Sequence, residues 1–245
     1  MTRADELSGR LAATRSRIAA ACAAAGRDPA EITLIAVTKT YPAADVLALA
    51  ALGLTDFGEN RDQEAAPKAA EVAAALSAAG EAAPVRWHFV GQLQSNKAHS
   101  VAGYASVVHS VDRIRLARYL GAAALSTPGR NIAGAALLCL VQVSLDGDPN
   151  RGGVPADRML EVAEAIEAEP GLALGGLMAV APLGESPLAA FAPLRGLSAA
   201  VQSVNSSATV VSAGMSGDLE AAIECGATHL RIGTALLGDR RPPVL

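Results

Sequence analysis

Aromatic residues are scarce in this sequence: Phe, Tyr and Trp together make up 3% of its 245 residues. Hydrophobic residues nevertheless account for 51%, so Ala, Val, Leu and Ile must fill the interior. Aliphatic side chains of this kind suit helices packed on a parallel sheet whose strands are buried on both faces. The composition therefore favours an α/β protein, and the length suits one large domain.

Cysteine is also rare, with three residues, an odd number that includes no CxxC pair. Each cysteine lies among apolar neighbours, which argues against a disulfide framework and against a zinc site. We predict that all three are small core residues of a protein in a reducing compartment. They are Cys22, Cys139 and Cys225.

Long apolar runs, a secretory signal and basic clusters are missing as well. The longest apolar stretch, Ile132 to Val143, is shorter than the roughly 18 residues of a membrane span and contains Gly134 and Gln142. The N-terminal residues MTRADELSGR are charged from the start, unlike a signal peptide. The net charge of −4 and the lack of an aromatic stacking strip argue against nucleic acid. We expect a cytoplasmic protein with a small-molecule ligand and no membrane partner.

The sequence does contain a regular alternation of short apolar runs and helical segments. Eight runs are predicted to be strands: Ile32 to Thr40, Thr55 to Asn60, Val85 to Gly91, Ala105 to Val111, Ala135 to Val143, Leu172 to Ala179, Ala208 to Ser212 and Thr228 to Ile232. This spacing predicts a single (β/α)8 TIM barrel over residues 1–245, with residues 1–26 as a covering helix. The alternative is a doubly wound open sheet, which usually has a glycine-rich turn after its first strand; Thr40, Tyr41 and Pro42 do not form one.

Helices are predicted between these strands from apolar periodicity and from Gly or Pro at their ends. They are Thr2 to Ala25, Ala43 to Ala51, Arg61 to Ala79, Gln92 to Val101, Arg113 to Leu125 with Asp112 as N-cap, Ala156 to Ala168, Leu188 to Val204, Leu219 to Cys225, and a short one from Thr234. A turn is predicted at Pro128 and Gly129, and a loop with Pro149 and Asn150 is predicted to lie over a ligand.

Lys39 is the first candidate functional residue, because it stands at the carboxyl end of the first predicted strand. In an α/β barrel that end faces the reaction site. A lysine against apolar walls loses hydration, which disfavours its charged form and makes the amine available for a Schiff base. A solvated surface lysine is the alternative interpretation.

The ends of the last two predicted strands carry the second candidate group. Barrels frequently bind phosphate at these loops. Gly233 lets the backbone come close, while Thr234 and Ser212 can add hydroxyl groups; Ser216 is predicted to be an N-cap. A lysine on the first strand and a phosphate site on the last two would be adjacent across the closure of the barrel. Together they suit a phosphorylated aldehyde such as pyridoxal 5′-phosphate (PLP).

Several motifs in this order resemble one family. The segments VTKTYP, FGENRDQE, WHFVGQLQSNK, GLMAVAP and SAGMSGDLEAAIECGATHLRIGTALLG are similar to those of the pyridoxal phosphate homeostasis proteins, from about the first strand to the C-terminus. The resemblance implies the barrel of the alanine racemase N-terminal domain. It implies a Lys39 aldimine, phosphate contacts from Ser212, Gly233 and Thr234, and Arg231 facing the pyridine nitrogen. Asn60 and His88 would line the ring pocket.

One departure from the family pattern concerns Arg151, which stands in a loop where a lysine before glycine is usual. A guanidinium cannot form an aldimine, so this loop cannot supply a second amine for the cofactor. The four histidines show no ligand pairing at helical or strand spacing, so we predict no metal site.

Three functions fit these residues. The first is a PLP-binding protein of intracellular PLP homeostasis that has no substrate turnover and no catalytic residue. Its partners would be PLP and PLP-dependent apo-enzymes, and it would be a monomer. The second is a single-domain amino-acid racemase, for which Tyr41 is the only available second base because the chain is expected to end just after the barrel. The third is a Schiff-base aldolase, although aldolase lysines typically lie on a later strand.

Overall fold

The protein is described by a computed structural model over residues 2–80, 85–127, 136–148 and 151–238. Eight parallel strands follow one another around a closed barrel, in which the first strand also pairs with the last. The strands are β1 (Thr33–Val37), β2 (Asp56–Glu59), β3 (Arg86–Phe89), β4 (Val107–Val111), β5 (Leu137–Gln142), β6 (Leu172–Met178), β7 (Val210–Ser212) and β8 (His229–Ile232). The predicted (β/α)8 barrel is confirmed, and every strand is shorter than the run that predicted it.

Helices cover the outside of the barrel. They are α1 (Arg3–Ala24), α2 (Ala43–Ala51), α3 (Asp62–Ala78), α4 (Ala98–Tyr104), α5 (Ile114–Ser126), α6 (Met159–Glu167), α7 (Pro187–Phe191), α8 (Leu194–Val204), α9 (Leu219–Glu224) and α10 (Thr234–Leu237). No helix among the described residues is long and apolar enough to cross a membrane.

The first helix begins at a capping box, in which the Thr2 side chain and the Asp5 side chain each accept the other residue's N–H. Its buried stripe includes Leu7 and Leu11 and packs against α2, α9 and α10. Helix α1 therefore covers the place where the first and last units of the barrel meet. All three cysteines are free and buried, as the sequence predicts.

The barrel interior is apolar on one side and polar on the other. Val107, Leu140 and Met178 form a small apolar cluster inside β4, β5 and β6. Buried His88, His109 and Arg231 come from β3, β4 and β8. Buried polar groups need hydrogen-bond partners, so this second side must contain a connected polar network.

Some predicted helices differ in the structure. Gln92 to Val101 is a 3-10 turn at Ser95–Lys97 followed by α4. The segment Leu188 to Val204 is split into α7 and α8 at Pro193, because proline lacks the N–H that a continuous helix needs. The N-cap of α5 is Arg113 rather than Asp112, and it makes no side-chain capping bond. Ala135, the turn at Pro128 and Gly129, and Pro149 and Asn150 lie outside the described residues.

Candidate functional site

Lys39 lies two residues beyond the end of β1 and is half-buried. Strand alternation places Ile35, Val37 and then Lys39 on the interior side of the barrel. The neighbouring strand has Gly58 at this level, and a Cβ there would lie 3.1 Å from the Ile35 side chain and 3.3 Å from that of Val37. Glycine at this position therefore makes room for the interior side chains of β1.

The backbone on both sides of Lys39 is held by one ion pair on α3. Lys68 donates from Nζ to the Thr38 carbonyl at 2.9 Å, and the Thr40 N–H donates to the Glu64 carboxylate. Glu64 and Lys68 also pair with each other at 2.9 Å. Thr40 has φ of 69°, the left-handed region that residues other than glycine rarely adopt. The pair thus fixes a strained turn that sets the direction in which Lys39 leaves the strand.

Glu59 on β2 also contacts Lys68 of the Glu64–Lys68 ion pair. Its carboxylate is fully buried and accepts from Lys68 Nζ at 2.6 Å and from the Thr38 hydroxyl at 2.7 Å. The other oxygen, Oε2, has no partner within the described ranges. Burial raises the pKa of Glu59. Sequence reasoning missed the Glu64–Lys68 clamp, although the i,i+4 spacing of an acid and a base on a helix was a usable signal.

Arg231 lies inside the barrel on β8, paired in register with Ile35 of β1. Its Nη1 donates to both the carbonyl and the hydroxyl oxygen of Ser212, each at 2.7 Å, and its Nη2 donates to the Ala179 carbonyl at 2.9 Å. Burial lowers its pKa to about 10. A guanidinium has five N–H donors. Two of them, on Nε and Nη2, are donated to no residue in the part of the chain that the structure describes.

Ser212 is fully buried, and its hydroxyl contacts both Arg231 and His109 Nδ1, the latter at 2.9 Å. The sequence predicted that this hydroxyl binds a phosphate, and that role stays a prediction. The observed contacts place the hydroxyl beside Arg231, so Ser212 is also in position to hold the guanidinium.

The loops after β7 and β8 contact each other at the same end of the barrel. Gly214 has φ of 90°, and a Cβ there would lie 2.6 Å from the Ala222 side chain, so only glycine fits.

The predicted N-cap role of Ser216 is wrong: its hydroxyl accepts the Ala235 N–H of α10 at 3.2 Å. The N–H groups of Gly233 and Thr234 donate to no other described residue. Thr234 is exposed. These donors are available to an anion.

Asn60 follows β2 and is half-buried at the same end. A Cβ on Gly91 would lie 2.2 Å from the Asn60 carbonyl, so the chain after β3 passes Asn60 closely only because residue 91 is glycine. A cavity of about 350 Å³ adjoins Asn60. Its other lining residues are Arg61, Asp62, Gln63, Phe89, Gln92, Leu93, Gln94 and Lys97.

His88 is buried inside β3, level with Gly58. Its Nε2 contacts Asp56 Oδ1 and its Nδ1 contacts His109 Nε2, both at 2.8 Å. Both ring nitrogens are therefore occupied within the barrel interior. The prediction that His88 lines a ring pocket stays a prediction.

Arg151 is tied into its own loop region. Nη2 donates to the Ala181 carbonyl at 2.6 Å, and Nη1 lies 3.3 Å from an Asp146 oxygen. Arg151 thus links its own loop, through Asp146, to Ala181 in the segment after β6.

The strand pairing brings most of the predicted site residues together. Ala36 pairs with Ile232, so Lys39 and Gly233 leave the barrel from adjacent strands. On the other side the Thr38 N–H donates to the Gly58 carbonyl at 2.9 Å, which places Asn60 beside Lys39. Arg231 and Ser212 lie deeper in the interior, and His88 contacts neither of them directly.

This chain is similar to known proteins over almost its whole length. The family model for the alanine racemase N-terminal domain matches residues 10–241. A pyridoxal phosphate homeostasis protein of Mycobacterium tuberculosis is 45% identical over 244 residues, covering 98% of this chain and 95% of that one. The protein of the same name from Escherichia coli is 34% identical, covering 96% and 97% of the two chains.

Solved structures are also similar to this chain over most of its length. The structure of PipY from Synechococcus elongatus with PLP bound has a TM-score of 0.76 and 32% identity, covering 95% of this chain and all of PipY. Alanine racemase from Corynebacterium glutamicum has a TM-score of 0.62 at 16% identity, and the match covers 60% of the racemase. The racemase shares the barrel fold.

Proposed function

The chain belongs to the family of pyridoxal phosphate homeostasis proteins, and from this we propose that it binds PLP at the carboxyl end of its barrel and holds the cofactor without turning over a substrate. Relatives carry that name, and PipY contains PLP in its structure. Within this chain, one observation carries the proposal: two N–H donors of buried Arg231 have no acceptor among the described residues, and Arg231 lies on the strand next to the one that leads to Lys39.

The residues at this end of the barrel fit the polar groups of PLP. The cofactor supplies an aldehyde that condenses with an amine, and Lys39 is the amine in this proposal. Arg231 can only donate hydrogen bonds, so its open N–H groups hold an unprotonated ring nitrogen. Gly233 and Thr234 hold the phosphate through their N–H groups and the Thr234 hydroxyl. Asn60 borders the ring from β2.

The phosphate site predicts a large difference between PLP and pyridoxal. A hydrogen bond to a charged group contributes about 1.5 to 3 kcal/mol, so Thr234→Val should weaken PLP about tenfold or more, measured by absorbance titration. Pyridoxal, which lacks the phosphate, should bind poorly, and Thr234→Val should not change its affinity. Exposed Thr209, before β7, is the matched control, and Thr209→Val should alter neither ligand. Equal affinity of the wild-type protein for PLP and pyridoxal would contradict the proposal.

The same titration separates two roles of Ser212. If its hydroxyl binds the phosphate, Ser212→Ala should weaken PLP and leave pyridoxal unchanged. If it acts by holding Arg231, the change should weaken both ligands by the same factor, because both contain the ring nitrogen.

The alternative function, an amino-acid racemase, needs a second base on the opposite face of the substrate. Tyr41 was the only substitute that the sequence offered. Its hydroxyl donates to the Gly238 carbonyl at 2.7 Å, and its ring lies beneath the Arg3 guanidinium at 5.8 Å. These contacts direct the phenol toward α1 and α10, which disfavours a role as base.

We therefore expect that PLP-loaded protein incubated with L-alanine forms no D-alanine or pyruvate above the rate of free PLP, as resolved by chiral chromatography. Tyr41→Phe should leave this background unchanged. Turnover that exceeds free PLP and disappears in Tyr41→Phe would make the chain an enzyme.

We extend the proposal to a cytoplasmic monomer that exchanges PLP with PLP-dependent apo-enzymes. The large apolar side chains that are exposed in the described ranges lie on four parts of the surface: Tyr119 and Leu125 on α5, Leu160 on α6, Leu183 and Leu188 at and just before α7, and Met215 after β7. Scattered residues of this kind are common on monomers. Light scattering measures the mass, and reactivation of an apo-enzyme by the loaded protein measures the exchange.

A further inference from the structure

A continuous chain of buried side chains connects Arg231 to the opposite end of the barrel. Arg231 donates to Ser212 Oγ at 2.7 Å, and Ser212 Oγ lies 2.9 Å from His109 Nδ1. His109 Nε2 lies 2.8 Å from His88 Nδ1, and His88 Nε2 lies 2.8 Å from Asp56 Oδ1. All five side chains are buried. Asp56 begins β2, so the chain runs through the interior from the proposed cofactor site to the amino ends of the strands.

The direction of each hydrogen bond follows from the needs of the Ser212 hydroxyl. This O–H is fully buried and needs an acceptor. Its hydrogen-bonding neighbours among the described residues are the Arg231 guanidinium, which can only donate, and His109 Nδ1. Ser212 must therefore donate to His109 Nδ1. Its oxygen is left with lone pairs that face Arg231.

The two histidines then have fixed tautomers. His109 accepts at Nδ1, so its single proton is on Nε2 and is donated to His88 Nδ1. Burial holds the pKa of His109 well below its usual value, in agreement with a neutral ring. His88 in turn carries its proton on Nε2 and donates it to Asp56. Each side chain in this series of hydrogen bonds therefore donates in the direction that leads from Arg231 to the Asp56 carboxylate.

Asp56 accepts the last hydrogen bond of this series as a carboxylate. Burial alone would raise the pKa of its carboxyl group, but hydrogen bonds from His88, Arg86 and Thr55 outweigh burial and hold the pKa below the usual range. The carboxylate accepts from Arg86 at 2.9 and 2.7 Å and from the Thr55 hydroxyl at 2.6 Å. Within the described residues, no group of three or more His, Cys, Asp or Glu could hold a metal ion.

We propose that Asp56, His88 and His109 are positioning residues that fix the Ser212 hydroxyl as an acceptor and thereby hold Arg231 in place for the ring nitrogen of PLP. The inference rests on the proposed function. Hydrogen bonds in such a chain polarise one another, so the negative charge of Asp56 supports the buried guanidinium across the barrel. Without His109, the buried Ser212 O–H loses its acceptor, and the orientation that points the oxygen lone pairs at Arg231 is no longer fixed.

The first test uses the wild-type protein without PLP and does not depend on cofactor binding. Nitrogen-15 NMR of the imidazole rings should report the Nε2–H tautomer for both His88 and His109. The sequence has only four histidines, and single substitutions of His99 and His229 assign the remaining pair. An Nδ1–H tautomer or a doubly protonated ring at either position would overturn the proposed direction of the chain.

The second test asks whether His109 acts through Arg231. His109→Leu should weaken PLP about tenfold, which corresponds to roughly 1.4 kcal/mol, and should shift the absorption maximum of the bound cofactor. In an Arg231→Gln background the same change should have no further effect on affinity, since the group it positions is gone. An equal loss in both backgrounds would contradict a positioning role.

Ser110 provides the matched control. It lies next to His109 on β4 and is buried, and its hydroxyl has no hydrogen-bond partner among the described residues. Ser110→Ala should leave PLP affinity and the absorption maximum unchanged. If wild-type protein bound no PLP, the proposed function would fail, while the tautomers of the unloaded protein would still decide the hydrogen-bond chain.

Discussion

Lys39→Ala is expected to abolish covalent attachment of PLP while leaving the barrel folded. The substitution removes the amine that condenses with the cofactor aldehyde and keeps the backbone contacts that Lys68 and Glu64 make with Thr38 and Thr40. Purified wild-type protein loaded with PLP should be yellow and should be fixed by borohydride at one lysine, located by mass spectrometry of its peptides. In the variant the fixed adduct should fall to background, and circular dichroism should be unchanged.

The small number of lysines makes this experiment decisive. The chain contains only Lys39, Lys68 and Lys97. Lys68 is buried in its ion pairs with Glu59 and Glu64, whereas Lys97 is about one-third exposed and lies 3.8 Å from Asp62. Lys97→Ala is the matched control and should keep the adduct at Lys39. An adduct of undiminished occupancy at Lys97 or at the N-terminal amine of Lys39→Ala would refute the assignment.

Lys68→Met is expected to cause the largest loss of stability. Removing one partner of a buried ion pair costs about 3 to 5 kcal/mol because the remaining charge stays buried. Here that charge is the Glu59 carboxylate, which already has one oxygen without a described partner. The melting temperature of a domain of this size should fall by roughly 10 °C, measured by calorimetry. Lys97→Met removes a partly exposed cation 3.8 Å from Asp62 and should change stability by less than about 1 kcal/mol.

The stability lost in Lys68→Met should increase as the pH rises. Burial raises the pKa of Glu59 in the folded chain, while Lys68 lowers it. A carboxyl group with a raised folded pKa contributes stability below its unfolded pKa, about 4.3, and loses that contribution as pH rises through the folded pKa. Removing Lys68 raises the folded pKa further.

The difference in stability between Lys68→Met and the wild type should therefore be smaller at about pH 5 than at about pH 7.5. The double variant Glu59→Gln with Lys68→Met carries no buried charge at Glu59 and should recover part of the loss at the higher pH. A loss of equal size at both pH values would show that the destabilisation does not come from the Glu59 charge.

Local patterns were sufficient to predict the barrel and the order of its strands and helices. Apolar runs such as Ile32 to Thr40 alternate with helical periodicity, and both signals depend on neighbours within a few residues. The split of the predicted helix at Pro193 was missed because apolar periodicity continues across it. Strand ends were predicted too long, since an apolar residue just beyond the last ladder bond looks the same in sequence as one within the strand.

The closed (β/α)8 barrel, the family, and the placement of Lys39 after a strand that neighbours the one leading through Arg231 to Gly233 were all predictable from the sequence. The tertiary structure alone decided which polar groups share hydrogen bonds: the Glu64–Lys68 clamp around Lys39 and the chain from Arg231 to Asp56. Strand alternation predicts only that a side chain faces inward. Which inward side chains meet depends on the tilt and stagger of all eight strands, and a hydrogen bond tolerates an error of only a few tenths of an ångström. Asp56, His88, His109 and Ser212 come from four different strands, so only the closed barrel brings them within that distance.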